Sequence, residues 1–324
     1  MKGVYKMYNN HISSALDDYL KNLKFQIEHP NEGRGLSTGL KALDYVIDGL
    51  KPRELILIGG RPGMGKTSFA VNIAYNVSNY FYNNHKDKCV LYFNLAMPNY
   101  ALLQRFISKD SGLNFYSFIK EVNHPNIQEN IQKSVISLSR LPIYFSNNAI
   151  DLEQIKEQMQ KINAQKQIGC VIIDYLQLIG GFKQIEDCTQ PLNGLKDLAK
   201  EFGVPIIVLT QLKRTIENRS NKIPRWSDIR GFNANHDAVD KIIFLYRETY
   251  YLAFEADPKK RKNETEEHYI ERLNNWHQRK LEVQNQCDII IKKNAPKGSA
   301  TLKVLFNQRN GIFSEDLMSD FSYL

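Results

Sequence analysis

The run Gly60-Arg61-Pro62-Gly63-Met64-Gly65-Lys66-Thr67 constrains this chain more than any other stretch. It satisfies G-x-x-x-x-G-K-[ST] at every fixed position. The apolar run Leu55-Ile56-Leu57-Ile58 enters it, and a helical pattern from Ser68 to Val77 leaves it. Strand, glycine-rich loop and helix in that order turn consecutive backbone N–H groups inward, and the helix N-terminus adds its positive dipole. The residues Gly60 to Ser68 are therefore candidate phosphate contacts for a nucleoside triphosphate. Lys66 supplies a point charge for the β- and γ-phosphates, and the Thr67 hydroxyl is a ligand for Mg²⁺.

A phosphate loop of this kind needs an acidic partner at the end of a neighbouring strand. Val171-Ile172-Ile173-Asp174 supplies it, because a β-branched run ending in Asp sets the carboxylate at the carboxyl edge of a sheet, where ligands of open α/β sheets bind. Thr67 and Asp174 are the expected metal-holding pair. A second buried run, Val204 to Leu209, ends in Thr210-Gln211, and Gln211 is placed to reach the γ-phosphate or an attacking water.

The surrounding pattern fits that site. Strands are expected at 54–59, 88–93, 142–145, 170–174, 204–209, 241–246, 287–292 and 301–306, and helices at 67–79, 98–108, 151–163 and 192–202. This alternation predicts an α/β fold with a mostly parallel twisted sheet flanked by helices, the last strands pairing antiparallel. The expected division is an amphipathic helix within 1–35 and an ATPase domain over 36–324. In the first segment Ile12, Leu16, Tyr19, Leu20, Leu23 and Ile27 share a helical face before Pro30-Asn31-Glu32-Gly33 ends it. Such a stripe needs a surface, either its own domain or a neighbouring subunit. A charged segment at about 255–282 interrupts the rhythm. It holds the basic run Lys259-Lys260-Arg261-Lys262 and a helix with Tyr269, Leu273 and Trp276 on one face. That run is either a solvated tip or a phosphate or docking contact.

Composition narrows the setting. The formal charge is +8, which suits an anionic partner, nucleic acid above all, and suits simple solubility equally. Cys89, Cys170, Cys188 and Cys287 form no CxxC pair, which argues against a disulfide frame or zinc site and for reduced thiols. There is no apolar run of membrane-spanning length and no signal-peptide core, so a cytoplasmic location away from membranes is expected.

The motifs together resemble the C-terminal motor domain of DnaB-type replicative helicases, within the RecA-like ATPases. The matching stretches are Leu36-Ser37-Thr38-Gly39 with Leu43-Asp44, Gly59 to Thr67, Ala96-Met97-Pro98, Ile173 to Leu178 and Leu198-Ala199-Lys200-Glu201. They continue with Thr210-Gln211-Leu212, Ser227-Asp228-Ile229-Arg230, and Tyr246-Arg247 before Tyr250-Tyr251. They occur in family order over about residues 35–315. The resemblance implies a RecA-like core and a hexameric ring with ATP and Mg²⁺ between subunits. Single-stranded DNA would thread the centre, and other replication proteins are further partners. Residues 11–27 resemble the helix that packs on the next subunit, which raises that reading of the stripe over its alternative. Arg247 is carried over as a nucleotide contact. The family's N-terminal, primase-contacting domain is expected to be absent.

Departures from the family matter as much. Its Ser-Leu-Glu-Met-Pro reads Asn94-Leu95-Ala96-Met97-Pro98 here, so alanine stands at the position of the glutamate that polarises water. Loss of a general base costs about 10²–10⁴-fold in rate. The family's Lys-Gln-Arg-Asn-Gly-Pro segment reads Ile291-Lys292-Lys293-Asn294-Ala295-Pro296, putting Lys293 in the arginine's place with Lys292 beside it. Lysine keeps charge but loses the planar fork, where a trans arginine is worth about 10³–10⁵. The DNA-facing loop shrinks to Ile179-Gly180-Gly181-Phe182-Lys183-Gln184, leaving Lys183 as its cation and Gly180 and Gly181 as backbone donors. His236 replaces an acidic residue and reads as structural, not as a metal ligand. Two functions follow: a ring motor coupling ATP hydrolysis to movement on DNA, or a weakened ATP-binding relative acting in assembly.

Overall fold

The computed structural model describes residues 35–115, 117–147, 151–181, 188–231, 237–254, 258–294 and 297–315, together with Ile12, Leu16, Leu20 and Lys24. Nine strands form one sheet: β1 (Leu55–Gly60), β2 (Lys88–Asn94), β3 (Ile143–Ser146), β4 (Gln167–Asp174), β5 (Ile206–Gln211), β6 (Lys241–Tyr246), β7 (Gln286–Asn294), β8 (Ala300–Asn307) and β9 (Ile312–Glu315). Their order is β3-β2-β4-β5-β1-β6-β7-β8-β9. The first six in that order are parallel and the last three pair antiparallel, as the sequence pattern predicts.

The central strands are apolar without a break because the sheet is covered on both faces. In β1, Ile56 and Ile58 join one core and Leu55 and Leu57 the other. The first core is closed by α1 (Lys41–Ile47), α2 (Lys66–Asn83) and α3 (Asn99–Ser111), through Leu43, Phe69, Ile73, Phe81, Leu102 and Phe106. Between α3 and β3 lie the one-turn α4 (Ser117–Lys120) and α5 (Pro125–Leu138). The second core is closed by α6 (Leu152–Gln165) and α7 (Thr189–Phe202), through Ile155, Met159, Leu192, Leu195 and Leu198. Beyond β6 come α8 (Glu248–Phe254) and α9 (Glu266–Glu282).

The structure adds elements that periodicity did not predict. Helix α1 spans two turns, β9 four residues, and α5 buries only Ser134, so each is too short or too exposed to show an apolar period. Strand β4 starts at Gln167, three residues before the apolar run predicts. The four cysteines are buried free thiols. Ile12, Leu16 and Leu20 are helical and 51–69% exposed, so these three find no cover among the described residues, while Tyr19, Leu23 and Ile27 lie outside them.

Candidate nucleotide-binding site

Strand β5 lies between β1 and β4, so the loop after β1 and the end of β4 face each other across one strand. Thr67, the second residue of α2, bridges that gap: its hydroxyl donates to Asp174 Oδ2 at 2.8 Å. The Tyr92 hydroxyl, from β2, donates to the same oxygen at 3.3 Å. Asp174 is buried, and burial raises its pKa while Thr67, Lys66, Tyr92 and Arg105 pull it back. Lys66 folds over the loop and donates to the carbonyls of Gly60 (2.8 Å) and Arg61 (3.1 Å). Burial brings its pKa down to about 8, against the opposing pull of Asp174.

Two glycines in this loop have no substitute. Gly65 has φ +92°, and a Cβ there would lie 3.0 Å from the Phe306 ring. Gly63 has φ +81°, and a Cβ would meet the Tyr250 ring at 2.6 Å. Both positions combine a left-handed backbone with close ring packing, which only glycine accepts.

Above the loop is a hollow of about 510 Å³. Pro62, Gly63, Gly65, Lys66, Thr67, Ser68, Ala96, Asp174 and Gln211 all line it. The phosphate-loop and strand-end residues read from sequence are thus brought to one place. Ala96 faces in from a turn that Asn94 fixes, its amide donating to Met97 O (2.9 Å) and Asn99 Oδ1 (3.0 Å). Gln211 is held at its backbone N–H by Gln177 Oε1 (3.2 Å), leaving its side chain on the hollow.

Arg105, Phe115, Tyr175, Phe306 and Gln308 also line the hollow, and the sequence reading did not find them. Arg105 donates to Ser68 Oγ at 3.0 Å and lies 5.1 Å from the Phe115 ring centre. Its sequence signal is a lone cation beside the Leu102/Phe106 stripe of α3. Tyr92 sits in an apolar strand and signals nothing until β2 is known to neighbour β4. A larger, amide-rich hollow of about 1050 Å³ adjoins, sharing Phe115 and Gln308. It contains none of the loop residues, so the phosphate site is the smaller one.

Arg247 stands elsewhere than at the nucleotide hollow. It is buried behind the loop, donating to Gly63 O and Gln308 Oε1, both at 2.9 Å, and stacking on Phe306 at 4.8 Å. It braces the loop from the β6 side. Arg61 likewise turns away, forking onto Glu217 and donating to Leu212 O at 2.8 Å.

Lys292 and Lys293 do not line their own chain's hollow. In β7, Lys293 pairs with Ile242, which is level with Leu57, and Lys292 is the extra residue of a bulge. Because β7 is antiparallel to β6, it runs away from the loop edge. Gly180 and Gly181 close a 3₁₀ turn, Leu176–Gly181, directly after Asp174. Lys183 and His236 lie outside the described residues. Among the described residues no cluster of His, Cys, Asp and Glu could cage a metal, and no helix is long and apolar enough to cross a membrane.

A parallel sheet with this loop on β1 and an acid two strands away defines a RecA-like nucleotide-binding ATPase core. Residues 35–315 match the DnaB-like helicase C-terminal domain family, and the chain belongs to it. It is 29% identical over 321 residues to the replicative DNA helicase DnaB of Rickettsia bellii, covering 93% of this chain and 62% of that protein. To that of Helicobacter pylori it is 31% identical, covering 91% and 62%. The chain thus spans about three fifths of the length of these relatives. Among solved structures it resembles one described as an ATPase domain, with a TM-score of 0.74 at 25% identity, covering 95% of this chain and 99% of that one. It also resembles a DnaB-like replicative helicase described with its interactions with primase, with a TM-score of 0.73 at 25% identity, covering 92% and 66%.

Proposed function

We propose that this chain is the ATP-driven motor module of a replicative helicase, acting in the cytoplasm. It would assemble as a hexameric ring and couple ATP hydrolysis between subunits to movement along single-stranded DNA and duplex unwinding. The observation that carries this is the assembled cradle: loop, Lys66, and the Thr67–Asp174 contact at 2.8 Å, all on one hollow. Membership of a helicase family supports the step from cradle to motor.

Within the cradle, the loop N–H groups hold phosphate oxygens and Lys66 moves from its two carbonyls to the β- and γ-phosphates. Thr67 and Asp174 suit Mg²⁺, which takes a few oxygen ligands together with phosphates, and no all-protein cage competes among the described residues. When bound, that ion neutralises charge growing on the β/γ oxygens. Gln211 orients the attacking water or reads the γ-phosphate. Ala96 offers only a methyl group where a base would stand, so turnover is slow. Lys292 and Lys293, set away from their own site, serve that of the next copy. The Gly180–Gly181 turn and Lys183 contact DNA, and the exposed Ile12/Leu16/Leu20 stripe covers the neighbouring subunit.

Steady-state ATP hydrolysis with and without single-stranded DNA tests the reading. DNA-stimulated turnover is expected. Tight Mg-ATP binding with no turnover under either condition would favour the assembly role instead. Mixing Lys66→Ala with Lys293→Ala chains should restore part of the turnover if lysine and cradle act in trans; two dead variants that stay dead together would refute the shared site.

A further inference from the structure

The nucleotide site leaves one feature unused, the charged segment between β6 and β7. Helix α9 is 17 residues long and buries none of them. Tyr269, Leu273 and Trp276 are only half-covered. A helix without a buried stripe draws little from packing and must be held by local contacts. Here they concentrate on the turn before it. The Arg272 guanidinium forks onto Glu264 at 2.7 and 2.8 Å and also donates to Lys259 O at 2.9 Å. The Arg261 N–H donates to Glu264 at 2.9 Å, Thr265 caps α9, and Lys260 pairs with Glu266. Arg272 and the Arg261 N–H together hold the Glu264 carboxyl down to about 2.

The consequence is a fixed turn whose acids are already engaged. Lys259, Arg261 and Lys262 stand on it, exposed, and none makes an ion pair among the described residues. No large apolar side chain shares the turn, so a bilayer would find no anchor there. A row of three pre-positioned cations suits a polyanion with regularly spaced charges.

The location agrees. Tyr246, the end of β6, pairs with Asp288 near the start of β7, so the segment leaves and rejoins the sheet at the phosphate-loop edge. Its far end is tied down by Arg279, which forks onto Glu248 at 3.0 and 2.5 Å. Glu248 follows Arg247 in the chain, and Arg247 holds Gly63 of the phosphate loop.

We propose that the Lys259–Lys262 turn is a phosphate-backbone contact for nucleic acid, separate from the loop after β4. This rests on the motor reading above. Single strand and duplex offer the same phosphate chemistry, and the experiment separates them.

The test is the triple variant Lys259→Glu, Arg261→Glu, Lys262→Glu in the full chain with Mg-ATP. Its affinities for labelled single-stranded, duplex and forked DNA are read by fluorescence anisotropy over a salt series. Unchanged ATP affinity and melting temperature show that the variant is folded. Binding about tenfold weaker or more is expected, with a log–log salt slope shallower by about 2 for a single strand or nearly 3 for a duplex. Loss on one DNA form alone names the source. A charge-matched control, Lys86→Glu, Lys133→Glu, Lys161→Glu, should change little. Binding equal to the unsubstituted chain, or an equal loss in the control, overturns the proposal while leaving DNA-stimulated turnover, and so the motor, standing. An unsubstituted chain that binds no DNA in any form overturns both.

Discussion

Lys66 should take up a proton when nucleotide binds. In the nucleotide-free chain its ammonium donates to two carbonyls, and burial, against the pull of Asp174, holds its pKa at about 8. Triphosphate charge beside it returns the pKa to the ordinary lysine range of about 10 or above. The free lysine is then about nine-tenths charged at pH 7, half at pH 8 and a tenth at pH 9. Binding accordingly draws in about 0.1, 0.5 and 0.9 protons at those pH values, and Kd for Mg-ATP weakens about tenfold from pH 7 to 9. The γ-phosphate, titrating near pH 6, contributes little in that window. Titration calorimetry at pH 8 in buffers of unequal ionisation heat measures the uptake directly. Uptake near zero at pH 8, or a flat Kd across the range, would refute the account of Lys66 as a buried, half-discharged ammonium. The stability sign follows from the same shift. The unfolded chain keeps the proton up to about 10.5 while the folded, nucleotide-free chain loses it near 8, so this group adds stability as pH rises between those values. Bound nucleotide removes that gain, which melting curves with and without Mg-ATP would display.

Three further outcomes are expected. Ala96→Glu should raise turnover by about 10²-fold or more, read by steady-state phosphate release, if the base is the missing group; no change would place the defect at Lys293 or in assembly. Arg247→Ala removes two charged hydrogen bonds and a ring stack from behind the loop. It should cost about 2–4 kcal/mol in denaturant unfolding and weaken ATP binding, although the side chain does not line the hollow. Cys170 and Cys287, buried with thiols pushed up to about 12, should resist alkylation in the native chain and react only on unfolding, as followed by mass spectrometry.

The site was legible in the sequence where a single strand end carries the chemistry. Gly60 to Thr67 and Ile173-Asp174 are local signatures, and the sheet brings them together as expected. What stayed hidden depends on contacts between distant segments. Tyr92 meets Asp174, and Arg247 meets Gly63, across gaps of 82 and 184 residues. Periodicity says which face of a strand is covered, not which side chain covers it. Arg247 is an example: its motif marks a nucleotide contact, and the contacts that hold it on Gly63, Gln308 and Phe306 were not legible. The exposed helix α5 and the four-residue β9 escaped for the complementary reason, since neither carries enough buried positions to set a period.

The reversal of direction at β7 has a consequence for how copies of this chain meet. On the function proposed above, in which Lys292 and Lys293 serve the next copy, a chain would carry the first half of one site and the second half of another. Two copies related by a twofold axis would pair like with like and complete neither. Only head-to-tail stacking matches the halves. Such stacking closes when the rotation between copies divides a full turn and otherwise grows without end. The tilt of one copy on the next is therefore what separates a finite machine from a filament, and the few residues that set that tilt decide solubility as much as they decide catalysis.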